Sequence, residues 1–271
     1  MKIKNILVFL ILILISLFFL FLLRFLTKNN NIVLINEIIS LVKNKPGFTL
    51  LFLGKPGPGY IGSENTDSII EIYYDGDDNL FLIPIPRDLI VKDTTGKLLK
   101  INSLYGMNKL NLLLNKVSEF TGLDVKDYVI IDITLVKKLI DFLGGIEVDL
   151  DEAVTDPVTL YTIPPGRRVL NSDLVELLIR SRFNPEGDFF RIKNQMKLLI
   201  ALKQKLLKLN FNQKLQLINF LERNKAHFSS NLTIRNILEI GYKIAKDDLN
   251  VIPLVLDQHK NVFKSGYFTI D

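Results

Sequence analysis

The period of hydrophobic and polar positions changes several times along the chain. Ile6 to Leu23 is apolar at every position but Ser16. As a helix this stretch is about 27 Å long, close to the hydrocarbon thickness of a bilayer. It predicts one N-terminal transmembrane anchor over residues 1–24. A cleaved signal peptide is the competing reading, but it wants a shorter apolar run and a small-residue cleavage site. Here the run ends in Leu23-Arg24-Phe25-Leu26-Thr27. Lys2, Lys4 and the amino terminus on one side nearly balance Arg24 and Lys28 on the other. The expectation of an extracytoplasmic domain therefore rests on the usual placement of a large domain behind a lone N-terminal anchor. After the polar break Asn29 to Asn31, Ile32, Ile35, Ile38, Ile39 and Val42 recur at helical spacing up to Lys43-Asn44-Lys45-Pro46-Gly47. This predicts a juxtamembrane helix and linker over residues 25–47.

From Phe48 the pattern becomes that of a βαβ chain. Strands are expected at Phe48–Leu53 and Ser68–Tyr74 and, after the turn Asp75-Gly76-Asp77-Asp78-Asn79, at Leu80–Ile85, with Pro84 and Pro86 ending the last at a sheet margin. A helix at Lys109–Phe120 should stop at Thr121-Gly122, followed by a strand at Tyr128–Ile133, a helix at Leu135–Phe142 stopped by Gly144-Gly145, and a strand at Ile146–Leu150. Asp173 and Glu176 have the spacing of a capping box for a short helix through Leu178. A long amphipathic helix opens near Asp188, with Ile192, Met196, Leu199, Ile200 and Leu206 on one side. Gln213–Leu221 and Ile234–Ile244 read as helices, and Leu249–Leu256 and Tyr267–Ile270 as closing strands. The alternation argues for an α/β sandwich, and one domain over 48–271 is the economical count.

Composition removes several chemistries. With 271 residues, 48% apolar and 23% charged, there is ample material for a core, so disorder and collagen-like classes fail. The absence of cysteine excludes disulfides, thiolate zinc sites, Fe–S clusters and cysteine nucleophiles. His227 and His259 are far apart with no second ligand in helical register, so each reads as structural or surface, and any metal must sit on oxygen. A sequence pI of about 9.1 raises a DNA-binding regulator as a reading. The anchor and the lack of a recognisable helix-turn-helix argue against it.

Gly57-Pro58-Gly59-Tyr60-Ile61-Gly62 matches the dinucleotide fingerprint G-x-G-x-x-G. The fingerprint needs a following helix N-terminus to receive the pyrophosphate, whereas Ser68–Tyr74 reads as a strand, so the loop reads as a flexible surface loop. The arginines are more informative. Of 34 basic residues nine are Arg, and Arg167, Arg168, Arg180, Arg182 and Arg191 fall within 25 positions, while Arg87 follows a strand end. Such a concentration suits phosphate oxygens, which a planar fork grips bidentately; an exposed basic face is the alternative. Gly187-Asp188 opening a helix would place backbone N–H groups beside Arg191 and, one turn on, Gln195. Asp188 merely capping the helix and pairing with Arg191 is the plainer option. Asp67 and Asp88 are either ion-pair partners or oxygen ligands of a divalent cation. Asp75, Asp77 and Asp78 read as solvated turn residues.

Taken in order, Asn65-Thr66-Asp67-Ser68, Ile83-Pro84-Ile85-Pro86-Arg87-Asp88, Lys100-Ile101-Asn102, Asp141-Phe142-Leu143-Gly144-Gly145-Ile146-Glu147-Val148, Ile179-Arg180-Ser181-Arg182 and Asp188-Phe189-Phe190-Arg191-Ile192-Lys193-Asn194-Gln195 resemble the LytR-CpsA-Psr proteins. The likeness spans roughly Phe48 to Leu207 plus the anchor. It implies an extracytoplasmic α/β domain with a mixed central sheet flanked by helices, which moves a glycopolymer such as a teichoic acid or capsular polysaccharide from a polyprenyl-pyrophosphate carrier to peptidoglycan with Mg²⁺ or Mn²⁺. Carried over by position, Arg87, Arg180, Arg182, Arg191 and Gln195 would hold the pyrophosphate. Asp67 would bind the metal, and Asp88 would be a supporting or acid/base group. Two positions depart from the family pattern: Lys55 stands in Gly54-Lys55-Pro56 where a second metal-binding Asp is expected, and Asn194 replaces a basic residue.

The reaction expected from this is phosphoryl transfer, with Arg87, Arg182 and Asp88 at the chemistry and an apolar slot for the carrier's tail. A lipid pyrophosphatase and a non-catalytic polyprenyl-phosphate-binding module remain as alternatives using the same clamp.

Overall fold

The computed structural model describes residues 47–60, 62–244, 249–257, 262–264 and 269–270. The expected anchor at 1–24, all of the juxtamembrane segment but Gly47, and His259 lie outside the described residues. Among those described, no helix is long and apolar enough to cross a membrane.

Strand β1 (Phe48–Lys55) lies at the centre of a six-stranded mixed sheet. Its alternation sends Leu50 and Phe52 to one layer and Leu51 and Leu53 to the other, and all four are buried. Each fully buried leucine contributes about 1.5–3 kcal/mol, so a strand apolar on both faces belongs in the sheet interior. On one side β1 pairs antiparallel with β2 (Ser68–Tyr74), which pairs antiparallel with β3 (Asn79–Pro84). A hairpin, β4 (Ile90–Lys92) and β5 (Leu98–Lys100), then leads to the short helix α1 (Ser103–Gly106) and to α2 (Leu110–Thr121). Gly122, at φ 75°, ends α2 in the left-handed conformation expected of a glycine stop.

The chain returns as β6 (Tyr128–Asp132), parallel to β1 on its other side, and enters α3 (Ile133–Phe142) directly. Asp132 caps α3 by accepting from Leu135 N at 3.0 Å, and its other oxygen meets His227 Nδ1 at 2.8 Å, which fits the structural role expected of His227. Strand β7 (Ile146–Leu150), the two-residue pair β8 (Val154–Thr155) and β9 (Thr162–Ile163), and β10 (Gly166–Leu170) follow. β10 pairs antiparallel with β7. Helix α4 spans Ser172–Arg180. Its cap is Asn171, accepting from Leu174 N at 2.9 Å, and not the expected Asp173–Glu176 box. Asp173 sits inside the first turn, and the Glu176 carboxylate is engaged elsewhere.

Helix α5 (Asp188–Leu207) crosses the sheet, burying Ile192 and Met196 against the layer of Leu50 and Phe52. Helix α6 (Phe211–Arg223) carries a capping box between Asn210 and Gln213. β11 (Phe228–Ser230) adds an edge strand beside β6, and α7 (Ile234–Ile244) covers the α5 face. β12 (Asn250–Pro253) runs parallel to β3 as far as Leu82, so Pro84 falls where β3 has no outer neighbour. The expected closing strand Leu249–Leu256 is split at Leu254: β13 (Val255–Asp257) leaves the main sheet for a small one with β14 (Val262–Lys264) and β15 (Thr269–Ile270).

Candidate functional site

The parallel strands β1 and β6 point their carboxyl ends, Lys55 and Asp132, to the same edge of the sheet, where β2 begins and β3 ends. In open α/β sheets this edge is the usual ligand crevice. Five of the expected residues meet there. Arg87, Arg180, Arg182 and Arg191 line one cleft of about 780 Å³, with Asp67 on its wall.

Each arginine arrives by a different route. Arg87 follows β3, with Pro86 preventing the strand from continuing, and its Nη1 donates to Asp67 Oδ1 at 2.5 Å. Arg180 ends α4, and Arg182 lies two residues on, after Ser181 has tied the chain to β8 by donating to the Thr155 carbonyl at 2.7 Å. Arg191 comes from the first turn of α5 and is only 3% exposed. Asp188 gives α5 no side-chain cap; instead its Oδ1 lies 2.9 Å from Arg191 Nη2 and 3.0 Å from Arg182 Nε, locking the two guanidinium groups together. Burial pushes the Arg191 pKa down to about 10; Arg182 and Arg87 push the same way by repulsion, and Asp188 and Asp67 oppose them. The group stays charged at neutral pH, and that list of influences is that of a converged cluster.

The Nε groups of Arg87 and Arg191 are buried without an acceptor. A buried donor left unpaired costs about 1–3 kcal/mol, which the oxygens of an anion would recover. Beyond the arginines the lining turns apolar. A cavity of about 100 Å³, walled by Phe52, Ile131, Val136, Leu199 and Leu202, shares those five residues with a second of about 140 Å³ running between the sheet and α3, α5 and α7. Gln195 lies at the mouth of the first cavity: one amide N–H is spent on the Ile179 carbonyl at 3.0 Å, and its Oε1 has no partner.

Asp88 lines a neighbouring polar pocket on the other side of Arg87, with Asn65, Lys100, Asn102 and Ser103. The hydrogen-bonded Lys100 ammonium at 2.6 Å, helped by Arg87 and Arg182, holds its carboxyl below the usual range although burial opposes this. So placed, Asp88 is a better charge partner than proton acceptor. Arg167 and Arg168 stand apart: Arg167 is exposed on β10, 3.8 Å from Asp149, and Arg168 donates to the carbonyls of Pro164 and Pro165. Two of the five clustered arginines thus belong to a surface ribbon.

The resemblance implies a divalent cation at Asp67. That carboxylate already holds Arg87, Lys55 pairs with Glu64 at 2.8 Å, and among the described residues no three His, Cys, Asp or Glu side chains gather as a ligand set. These residues do not form an all-protein cage for Mg²⁺ or Mn²⁺, and the reaction proposed uses none.

Residues missed in the sequence are Tyr60 and Glu176. The segment Gly57–Tyr60 is docked where a flexible surface loop was expected: a Cβ at Gly57 would lie 3.2 Å from Asp132 Cβ, and Tyr60 hydrogen-bonds Glu176 at 2.7 Å. The glycine spacing was the available signal.

The fold and the site together define an α/β protein with an arginine-lined cleft beside two adjoining apolar cavities. The LytR_cpsA_psr family profile matches residues 26–269, and the chain belongs to that family. It is 25% identical over 203 residues to the regulatory protein MsrR of Staphylococcus aureus, covering 74% of this chain and 61% of MsrR. It is 30% identical over 188 residues to the polyisoprenyl-teichoic acid–peptidoglycan teichoic acid transferase TagV of Bacillus subtilis, covering 65% of this chain and 48% of TagV. The matches thus span about half to three-fifths of these relatives' length. The crystal structure of B. subtilis TagV has the same fold, with a TM-score of 0.62 at 23% identity over 79% of this chain and 86% of that one. TagT bound to LIIa-WTA also has it, at 0.62 and 17% over 78% of each.

Proposed function

We propose that this chain is a membrane-anchored phosphotransferase, joining a glycopolymer carried on polyprenyl pyrophosphate to peptidoglycan through a phosphodiester. Its domain lies outside the cytoplasm behind the Ile6–Leu23 anchor. The observation that carries the reading is the junction of four arginines, two with buried unpaired Nε groups, and an apolar channel. A pyrophosphate-headed lipid presents the matching sequence of charge and hydrocarbon. The teichoic acid transfer to peptidoglycan for which TagV is named, and the LIIa-WTA bound to TagT, support it.

Arg180, Arg191 and Gln195, which line the channel, take the lipid-proximal phosphate. Arg87 and Arg182 face the sugar-proximal phosphate. An acceptor sugar hydroxyl attacks the sugar-proximal phosphorus, and as the new P–O bond forms its proton passes to the departing polyprenyl phosphate. The bond to the bridging oxygen breaks, and polyprenyl phosphate leaves. Catalysis consists of positioning and of guanidinium groups facing charge on the transferring group. Asp67, Asp88 and Asp188 hold the arginines in place.

Arg87→Ala and Arg182→Ala in the full chain are the test, read as transfer of a labelled lipid-linked saccharide. A loss of about a hundredfold or more is expected, with the unfolding midpoint retained. Full transfer by either variant refutes the mechanism.

A further inference from the structure

The glycine loop carries one side chain that the reaction above does not use. Gly57 and Gly59 adopt φ of 83° and 89°, in the left-handed region that L side chains avoid, and Gly57 rests against the Asp132 side chain. Together they bring Tyr60 across to α4, 116 residues away in sequence. Its hydroxyl donates to Glu176 Oε1 at 2.7 Å, and its ring lies 4.4 Å from the Arg180 guanidinium carbon. The same Glu176 oxygen accepts from Arg180 Nη1 at 2.9 Å, while Oε2 accepts from Lys137 at 2.8 Å, and Lys137 in turn reaches Asp173 at 2.9 Å. Burial works against the ionised Glu176, but Lys137, Tyr60 and Arg180 outweigh it and keep the carboxyl below its ordinary range.

This arrangement constrains a flexible side chain in two ways. Glu176 fixes one end of the guanidinium, and the Tyr60 ring fixes its plane by cation–π stacking. Arg180 Nε and Nη2 are then the donors left for an anion in the cleft that Arg180 lines. An arginine 47% exposed at the end of a helix, held only by an i,i+4 carboxylate, would otherwise lose much rotamer freedom on gripping a phosphate.

We infer that Tyr60 is a positioning residue for Arg180, its ring setting the plane of the guanidinium and its Glu176-tied hydroxyl setting the ring, so that the fork is preorganised for the lipid-proximal phosphate. This rests on the pyrophosphate reading of the cleft. Tyr60 touches neither phosphate nor acceptor and acts through Arg180.

The test is a double-mutant cycle on the full chain, with farnesyl pyrophosphate as the binding probe and a lipid-linked saccharide as substrate. Tyr60→Leu should weaken farnesyl pyrophosphate binding and raise the donor KM about fivefold, with kcat within about twofold and the unfolding midpoint unchanged. Tyr60→Phe, which keeps the ring and is the safer variant for folding, should lose about twofold. In an Arg180→Ala background Tyr60→Leu should change neither quantity. The chain has no tryptophan, so Tyr60→Trp adds a single indole, whose emission should shift on farnesyl pyrophosphate addition only while Arg180 is present. Equal losses from Tyr60→Leu with and without Arg180, or no loss in either background, overturn the inference. Failure of the unmutated chain to bind farnesyl pyrophosphate overturns the proposed function itself.

Discussion

Replacing Glu71 by Gln should flatten the pH dependence of stability between about pH 5 and 8. Glu71 sits mid-strand in β2, opposite Leu51 of β1 and Ile83 of β3, and is 0% exposed. Neither carboxylate oxygen has a hydrogen-bond partner, and the nearby Thr121 hydroxyl, which lowers the pKa slightly, donates to the Val117 carbonyl at 3.1 Å. Burial raises the Glu71 pKa from 4.5 to about 7. Below pH 4.5 the group is protonated folded and unfolded and leaves stability untouched. From 4.5 to 7 the unfolded chain releases the proton and the folded chain keeps it, so stability falls by about 1.4 kcal/mol per pH unit. Above 7 both forms are ionised and the full penalty, about 3 kcal/mol, is constant. Between pH 5 and 8 the wild type should lose about 2–3 kcal/mol from this residue alone. Glu71→Gln keeps the shape and removes the titration; its amide costs about 1–3 kcal/mol if unpaired, equally at both pH values. Urea unfolding followed by circular dichroism at pH 5 and 8, wild type against variant, isolates the difference. Identical slopes would refute the reasoning and mean that the carboxyl is paired or hydrated.

Arg182→Lys should behave nearly as badly as Arg182→Ala in transfer, because the ammonium keeps the charge but loses the bidentate fork; near-wild-type turnover would show that point charge suffices. Transfer should be unchanged by EDTA, given the donor set at Asp67, and a tenfold loss restored by Mg²⁺ would put a cation back into the reaction. Val136→Trp, in the stretch shared by both apolar cavities, should raise the KM for long prenyl donors at least tenfold while sparing short ones, at about 1–3 kcal/mol of stability; equal effects on both would mean that the channel does not hold the tail.

The sheet strands and the long helices were legible because their periods are strong: β7 and α7 appear at the expected residues, and α2 and α5 within a residue or so. The β8–β9 and β4–β5 hairpins were missed because strands of two or three residues leave no period to read. The α4 cap was misplaced because Asn171 and Asp173 are both good caps in sequence, and only backbone geometry decides between them. Residue choice also exposed most of the cleft, since a chain rich in Lys uses Arg where a fork is needed. Composition alone could not separate Arg180 and Arg182 from Arg167 and Arg168, because that division depends on β10 turning away along β7; only the motif Ile179-Arg180-Ser181-Arg182 made it. Tyr60 and Glu176 were invisible for a related reason: their partnership spans 116 positions and exists only once the glycine loop docks on α3.

Mass spectrometry of the full chain incubated with a polyprenyl-pyrophosphate-linked saccharide and peptidoglycan fragments tests the central claim most directly. The account predicts a fragment heavier by the glycan and one phosphate, formed together with polyprenyl phosphate and lost with Arg87→Ala. Donor recovered intact, or a free sugar phosphate with no adduct on the fragment, would contradict it.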